Sequence, residues 1–426
     1  MTARRHSVYG IAWCLAILLS GCGGSAPAPS SVPPKKHSHA PLVVSIVIDQ
    51  LGSWALERYL PYLHENGLIK RIVSQGAFYE HSQYSYAGTS TAPGHATIYT
   101  GRLPRDHGVY ANRAWHPELG QWLSIVDDQT HRIFETHDEF AGPNVLRVPT
   151  VGDLLKTSSQ NQAKVVSVSL KPWPAIASGG KQADLVAWYN LTGEMTTSTF
   201  YASSMPEWIT AWNREHPVTQ YMDVWSADDP TLLERLVGND VKPGESPYYG
   251  WTTAFPHDPR TSTSPNEAFS LTPQSVSYLL DFSRAAVTHY HMGEDAVADL
   301  LMISVSTTDK IGHAFGNESW EYVDNLIRTD HMLGTFIKEL EQRFPVAVVV
   351  TSDHGATPIP EQSTKASAAR IKSKDFLGTI TAVASQHLGE GQWIGPLDGA
   401  YVVFGPSVKT PAQRHTLVTE IQKTLK

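Results

Sequence analysis

Three near-continuous apolar runs punctuate the chain, and each gives way to an aspartate. Leu42 to Ile48 precedes Asp49, Leu300 to Thr308 precedes Asp309, and Val346 to Ser352 precedes Asp353. Runs this uniform, without polar alternation, predict strands buried on both faces of a parallel sheet. A fourth strand is predicted over Lys164–Leu170, after a helix around Val151–Lys156. Between the runs, apolar residues recur at helical spacing. Trp54–Ser74 carries Leu56, Leu60, Leu63, Leu68 and Ile72 and stops at Gly76. A second helix is predicted near Pro273–His291, and a third bears Trp320, Val323, Ile327, Leu333, Phe336 and Leu340 behind a cap at Asn317 or Ser319. Strands alternating with helices predict an α/β fold with a mostly parallel central sheet, whose strands end on one ligand-binding rim. Asp49, Asp309 and Asp353 then converge there, with His313 four residues beyond Asp309 and His354 directly after Asp353. Carboxylates gathered so closely call for cations between them. The pattern therefore predicts a metal site.

Residues from about 180 to 270 break the rhythm. They are rich in Trp, Tyr, Thr, Ser and Pro, and are expected to form an inserted cap over the site. At 426 residues, with 41% hydrophobic and 17% charged content, the chain is of ordinary globular composition. The formal charge of −8 excludes a basic nucleic-acid surface, so no nucleic-acid binding is expected. The N-terminus reads as a leader. Arg4 and Arg5 precede a short apolar stretch from Ile11 to Leu19, too short to span a bilayer. Leu19-Ser20-Gly21-Cys22 resembles a bacterial lipobox, which implies cleavage after residue 21 and lipid attachment at Cys22. Loss of 1–21 would leave 31 basic against 41 acidic side chains, a balance of −10. Cys14 would leave with the leader, so the mature chain is expected to hold no internal disulfide. Residues 22–40 form a Pro/Ser tether in which His37 and His39 are expected to be inert, and the catalytic domain is expected over 41–426. Gly23 favours the outer membrane, so the expected location is the periplasm or cell envelope, held by lipid.

A second informative segment is Thr91-Ala92-Pro93-Gly94-His95. Proline suits a first helical turn, which places Thr91 at a helix N-terminus among free backbone N–H groups, a natural anion site. A threonine hydroxyl becomes a nucleophile only beside a metal or a base, and the aspartate-rich rim can supply that metal.

The order Asp49, Thr91-Ala92-Pro93-Gly94-His95, His107-Gly108 with Asn112, Asp309 with Gly312-His313, then Asp353-His354-Gly355 resembles the alkaline phosphatase superfamily. The branch it is similar to is the type I phosphodiesterase/nucleotide pyrophosphatase group and its phosphate-irrepressible periplasmic phosphatases. That resemblance runs from about residue 42 to the end and implies a three-layer α/β/α sandwich. It implies an exported phosphohydrolase that acts on small-molecule phosphate esters, monoesters or diesters, through a phospho-threonine at Thr91. It implies two zinc ions, one held by Asp49, Asp353 and His354, the other by Asp309 and His313; manganese or cobalt suits the same donors. Asn112 and Lys171 match the groups that hold the phosphate oxygens.

Two positions depart from the family pattern. An arginine is expected two residues beyond the lysine, but Lys171-Pro172-Trp173 carries a tryptophan, which cannot form a bidentate pair with phosphate and could stack on an aryl or nucleoside group. A late histidine should complete the second zinc site, yet His387 and His415 lie in helix-like surroundings and read as surface residues. The chain ends in a helix over 417–426, with no closing strand, so it resembles a C-terminally shortened member with a weak second metal site. The competing reading is a lipoprotein pseudoenzyme that holds metal or phosphate without efficient turnover. A sulfatase reading fails because the Thr91 segment lacks the required arginine.

Overall fold

The computed structural model describes residues 41–136, 138–363, 368–398 and 401–425. The leader, the tether and Cys22 lie outside the described residues. The core is a six-stranded sheet of β1 (Leu42–Ile48), β2 (Val165–Ser169), β3 (Leu185–Tyr189), β4 (Met195–Thr196), β5 (Asp299–Val305) and β6 (Val346–Thr351). Their spatial order is β4-β3-β2-β5-β1-β6, and only β4 runs antiparallel to its neighbour.

Alternate side chains serve opposite faces, as the two-residue period of a strand demands. Val44, Ile46, Ile48, Val166, Val168, Leu301 and Ile303 pack against one helical layer. That layer includes α3 (Pro273–His289) and α5 (Trp320–Arg343), which contribute Tyr278, Phe282, Tyr322 and Phe336. On the other face, Val47, Val165, Leu300 and Met302 meet Tyr99 of α1 (Thr91–Thr100), while Val186 and Trp188 meet Ala175 and Ile176 of α2 (Pro172–Gly179). The expected three-layer α/β/α sandwich is thus observed.

Several elements differ from the sequence reading. Trp54–Ser74 is not one helix but a helix at Ser53–Tyr59, a 3₁₀ turn at Leu60–Tyr62 and a helix at Leu68–Gln75. Pro61 lacks the N–H that a continuing helix needs, and Asp330 of α5 receives the Ile69 N–H at 2.6 Å, fixing the restart. The strand before Asp309 ends at Val305; Thr307 and Thr308 already belong to α4 (Thr307–Phe315). Ser319, not Asn317, caps α5 by accepting the Tyr322 N–H at 3.1 Å. The stretch 180–270 contributes β3 and β4 to the sheet before its helices at Glu207–Glu215 and Pro230–Val237, whose Trp212 and Leu233 enter the main core. The last helix, Pro411–Thr424, follows a hairpin of Ile394–Asp398 and Tyr401–Phe404 that does not join the central sheet. Among the described residues, no helix is long and apolar enough to cross a membrane.

Candidate active site

Parallel pairing in register brings four strand ends to one rim. Ile48 lies beside Val305, Val47 beside Thr351, and Ser169 beside Ser304. Asp49 follows β1 directly, Asp353 follows β6 by two residues, and Lys171 follows β2 by two. Asp309 reaches the rim from the first turn of α4, near the positive end of the helix dipole. Its i+4 neighbour His313 lies on the same helical face, with Nε2 3.3 Å from Asp309 Oδ1.

One oxygen of Asp49, one of Asp309 and a ring nitrogen of His354 all lie within 4.8 Å of one another. His354 Nε2 stands 3.3 Å from Asp49 Oδ1 and 3.8 Å from both Asp309 Oδ1 and Asp353 Oδ2. The imidazole thus sits between the two expected ligand groups. Asp353 is buried: Oδ1 accepts the N–H groups of Gln50 (3.2 Å) and His354 (2.9 Å), and Oδ2 lies 3.2 Å from His95 Nδ1. Among the described residues no hydrogen bond takes up its buried Oδ2, which has only the ion-pair distances to His95 and His354. Lys171 Nζ donates to Asp49 Oδ2 at 3.0 Å and to Asp309 Oδ2.

The electrostatics follow from this crowding. Burial, then the charges of Asp309 and Asp353, push Asp49 up to about 6. Burial acts the same way on Asp309, but Lys171 first and His313 next outweigh it and hold that carboxyl below its ordinary range. For His354, burial favours the neutral ring, yet its bond to Asp49 and the neighbouring carboxylates lift it to about 10. Three carboxyl groups face the Lys171 ammonium and the raised His354 ring, whose positive charge a bound cation would replace. With mixed carboxylate and imidazole donors gathered at one buried point, the residues fit a divalent metal.

Thr91 begins α1, behind an extended Ser90. Its Oγ1 lies 3.5 Å from Asp49 Oδ1 and 3.4 Å from His354 Nε2. The expected row of free N–H groups is largely spent: Asn112 Oδ1 accepts from Ala92 at 2.8 Å, Gly94 donates to Ser90, and Pro93 has none. Asn112 is thereby oriented, and among the described residues no hydrogen bond takes up its Nδ2. His95 ties the helix to the site: Nδ1 meets the Thr91 carbonyl at 2.8 Å and lies 3.2 Å from Asp353 Oδ2, while Nε2 meets Ser304 Oγ at 2.9 Å. Trp173 is half-buried on α2, and its indole N–H has no partner among the described residues. His387 is exposed and lies 3.7 Å from Glu420, and His415 is exposed, so neither joins Asp309.

Gln50 and His95 were not legible as site residues in the sequence. Gln50 follows a motif aspartate without any spacing of its own, and the His95 bonds span more than 200 residues to Ser304. Gly94 had a readable signal, since small residues mark close backbone approach. A Cβ there would collide with the Asp353 carbonyl and come within 2.7 Å of Asp353 Cβ. Gly94→Ala is expected to cost about 1–3 kcal/mol by overpacking and to displace Asp353. Thermal melts of the variant and the wild type check this.

Residues 43–377 match the family described as type I phosphodiesterase / nucleotide pyrophosphatase. The chain is 32% identical over 339 residues to alkaline phosphatase PhoV of Synechococcus elongatus, covering 78% of this chain and 62% of that protein. It is 29% identical over 367 residues to alkaline phosphatase PafA of Elizabethkingia meningoseptica, covering 81% of this chain and 64% of the relative. A crystal structure of wild-type PafA matches with a TM-score of 0.80 at 27% identity, over 90% of this chain and 76% of that one. The chain therefore spans less than two thirds of the length of these curated relatives. By its matched residues and its sheet, the chain belongs to the type I phosphodiesterase/nucleotide pyrophosphatase family.

Proposed function

We propose that the chain is a metal-dependent phosphoric ester hydrolase with Thr91 as nucleophile. The observation that carries this reading is the placement of the Thr91 hydroxyl against Asp49 and His354, at a point where Asp49, Asp309 and His354 bring ligand atoms within 4.8 Å of one another. Asp49, Asp353 and His354 would hold one zinc, and Asp309 with His313 the other, with manganese or cobalt as substitutes. Bound there, the metal would supply charge stabilisation for the phosphoryl group and activation of oxygen nucleophiles.

The chain's own groups do the positioning that phosphoryl transfer demands. The first turn of α1 holds Thr91 with its hydroxyl against Asp49 Oδ1 and His354 Nε2, the groups that would hold a metal able to favour loss of its proton. The threonine oxygen bonds to phosphorus as the bond to the leaving alcohol breaks. Water then cleaves the phospho-threonine, releasing phosphate and restoring the hydroxyl. Asn112, fixed through Ala92, offers Nδ2 to a phosphate oxygen, and the Lys171 ammonium offers charge. Trp173, in place of an arginine, offers one N–H and an aromatic face, which favours aryl or nucleoside esters and diesters.

One observation favours the pseudoenzyme reading: Lys171 is bound to both Asp49 and Asp309, and the histidines near Asp309 are His313 and His354 alone among the described residues. Hydrolysis of an aryl phosphate and an aryl phosphodiester, with chelator and after zinc addition, decides between the two. Activity lost to chelator and restored by zinc is expected; no turnover of either ester with zinc bound would leave the pseudoenzyme. We further propose export and lipid anchoring at Cys22, on the strength of the leader and the lipobox-like segment. Metabolic labelling with palmitate should mark the wild type and not Cys22→Ala.

A further inference from the structure

We propose that Gln50 is a positioning residue that sets the spacing between the two groups of metal ligands. This role rests on the metal-dependent reading above but concerns a residue to which that reading gives no part. Gln50 is 4% exposed and holds a left-handed backbone with φ of 66°. Glutamine seldom adopts that region, and doing so costs about 1–3 kcal/mol unless the surroundings enforce it. Here they do. Its carbonyl accepts from the Gly52 N–H at 3.0 Å and, more distantly, from the Tyr322 hydroxyl at 3.4 Å.

The turn puts one residue in touch with all three acid-bearing segments. Asp49 is its chain neighbour on β1. Its backbone N–H reaches Asp353 Oδ1 at 3.2 Å, after β6, and its side-chain Nε2 reaches Asp309 Oδ1 at 2.9 Å, on α4. The same Asp309 oxygen faces His313, so the amide fixes the carboxylate plane that His313 must share. Gly312 makes room for this arrangement, since a Cβ there would collide with Gln50 Oε1. Groups that orient metal ligands in this way typically change metal affinity 10–100-fold when removed.

The two bonds are separable, which makes the role testable. Any substitution but proline keeps the backbone bond to Asp353, whereas Gln50→Met keeps the length and volume but loses the bond to Asp309. Gln50→Asn accepts the left-handed turn more readily and is one methylene too short to reach Asp309, so it stands in should the Met variant fold poorly. Zinc competition against a chromophoric chelator, on the full-length chain, reads two dissociation constants. For either variant, the constant of the Asp309 and His313 site is expected to rise about 10–100-fold, and that of the Asp353 site to stay at the wild-type value. A merely structural role would lower the melting temperature of the metal-free protein and leave both constants unchanged, and that result overturns the proposal alone. Wild-type protein that takes up no zinc overturns the metal-dependent reading, and this role with it.

Discussion

Thr91→Ala is expected to lower phosphate-ester hydrolysis by about a thousandfold or more, because it removes the atom that bonds to phosphorus. The fold should barely register the change. The hydroxyl contacts, at 3.5 Å to Asp49 and 3.4 Å to His354, are too long to contribute much stability. The variant should therefore melt within about 1 kcal/mol of the wild type. Thr91→Ser, which keeps the oxygen on the same helical turn, should retain most of the rate. Acid quenching during turnover of a labelled aryl phosphate offers an independent reading: label should remain on wild-type protein and vanish from the alanine variant. Undiminished turnover by Thr91→Ala would move the nucleophile elsewhere and leave Thr91 as an ordinary first-turn residue.

How far the sequence spoke depended on whether a signal was local. The run before Asp49 is buried on a parallel sheet, as its uniformity said, whereas the run before Asp353 pairs in parallel but forms the edge strand β6, with Ala347 and Val349 exposed. The run before Asp309 was read three residues too long, because the β-branched Thr307 and Thr308 look strand-like yet open α4, which Ser306 precedes. That error changes the chemistry little but explains how Asp309 and His313 share a face. Leu185–Tyr189 carried a readable apolar run that was absorbed into the expected cap; it is β3, buried on both faces. Gln50 was invisible for a different reason. Its two decisive bonds join residues 259 and 303 positions away, and no periodicity encodes them. The engagement of Lys171 was equally hidden: a lysine after a strand reads as a group awaiting phosphate, whereas two carboxylates already hold it.

Lys171→Met is expected to destabilise the metal-free protein by about 3–5 kcal/mol, the usual cost of stranding buried charges by removing one partner. Burial alone would draw the Lys171 ammonium down, but Asp309 and Asp49 push it above the ordinary lysine range. A group raised in this way contributes its full stability below its unfolded value of 10.5 and loses it only as pH climbs through the folded value. The effect should therefore be complete at neutral pH. Without the ammonium, Asp49, Asp309 and Asp353 face one another with only the imidazoles to offset them. A divalent ion supplies the missing charge, so zinc should raise the melting temperature of Lys171→Met far more than that of the wild type. Melts of both proteins in chelator and in zinc measure that difference. Equal melting temperatures in chelator would mean that Lys171 is not the counter-ion of this cluster. A large gap that closes on zinc addition would mean that the lysine guards the carboxylates until metal arrives, and is then free to meet the phosphate.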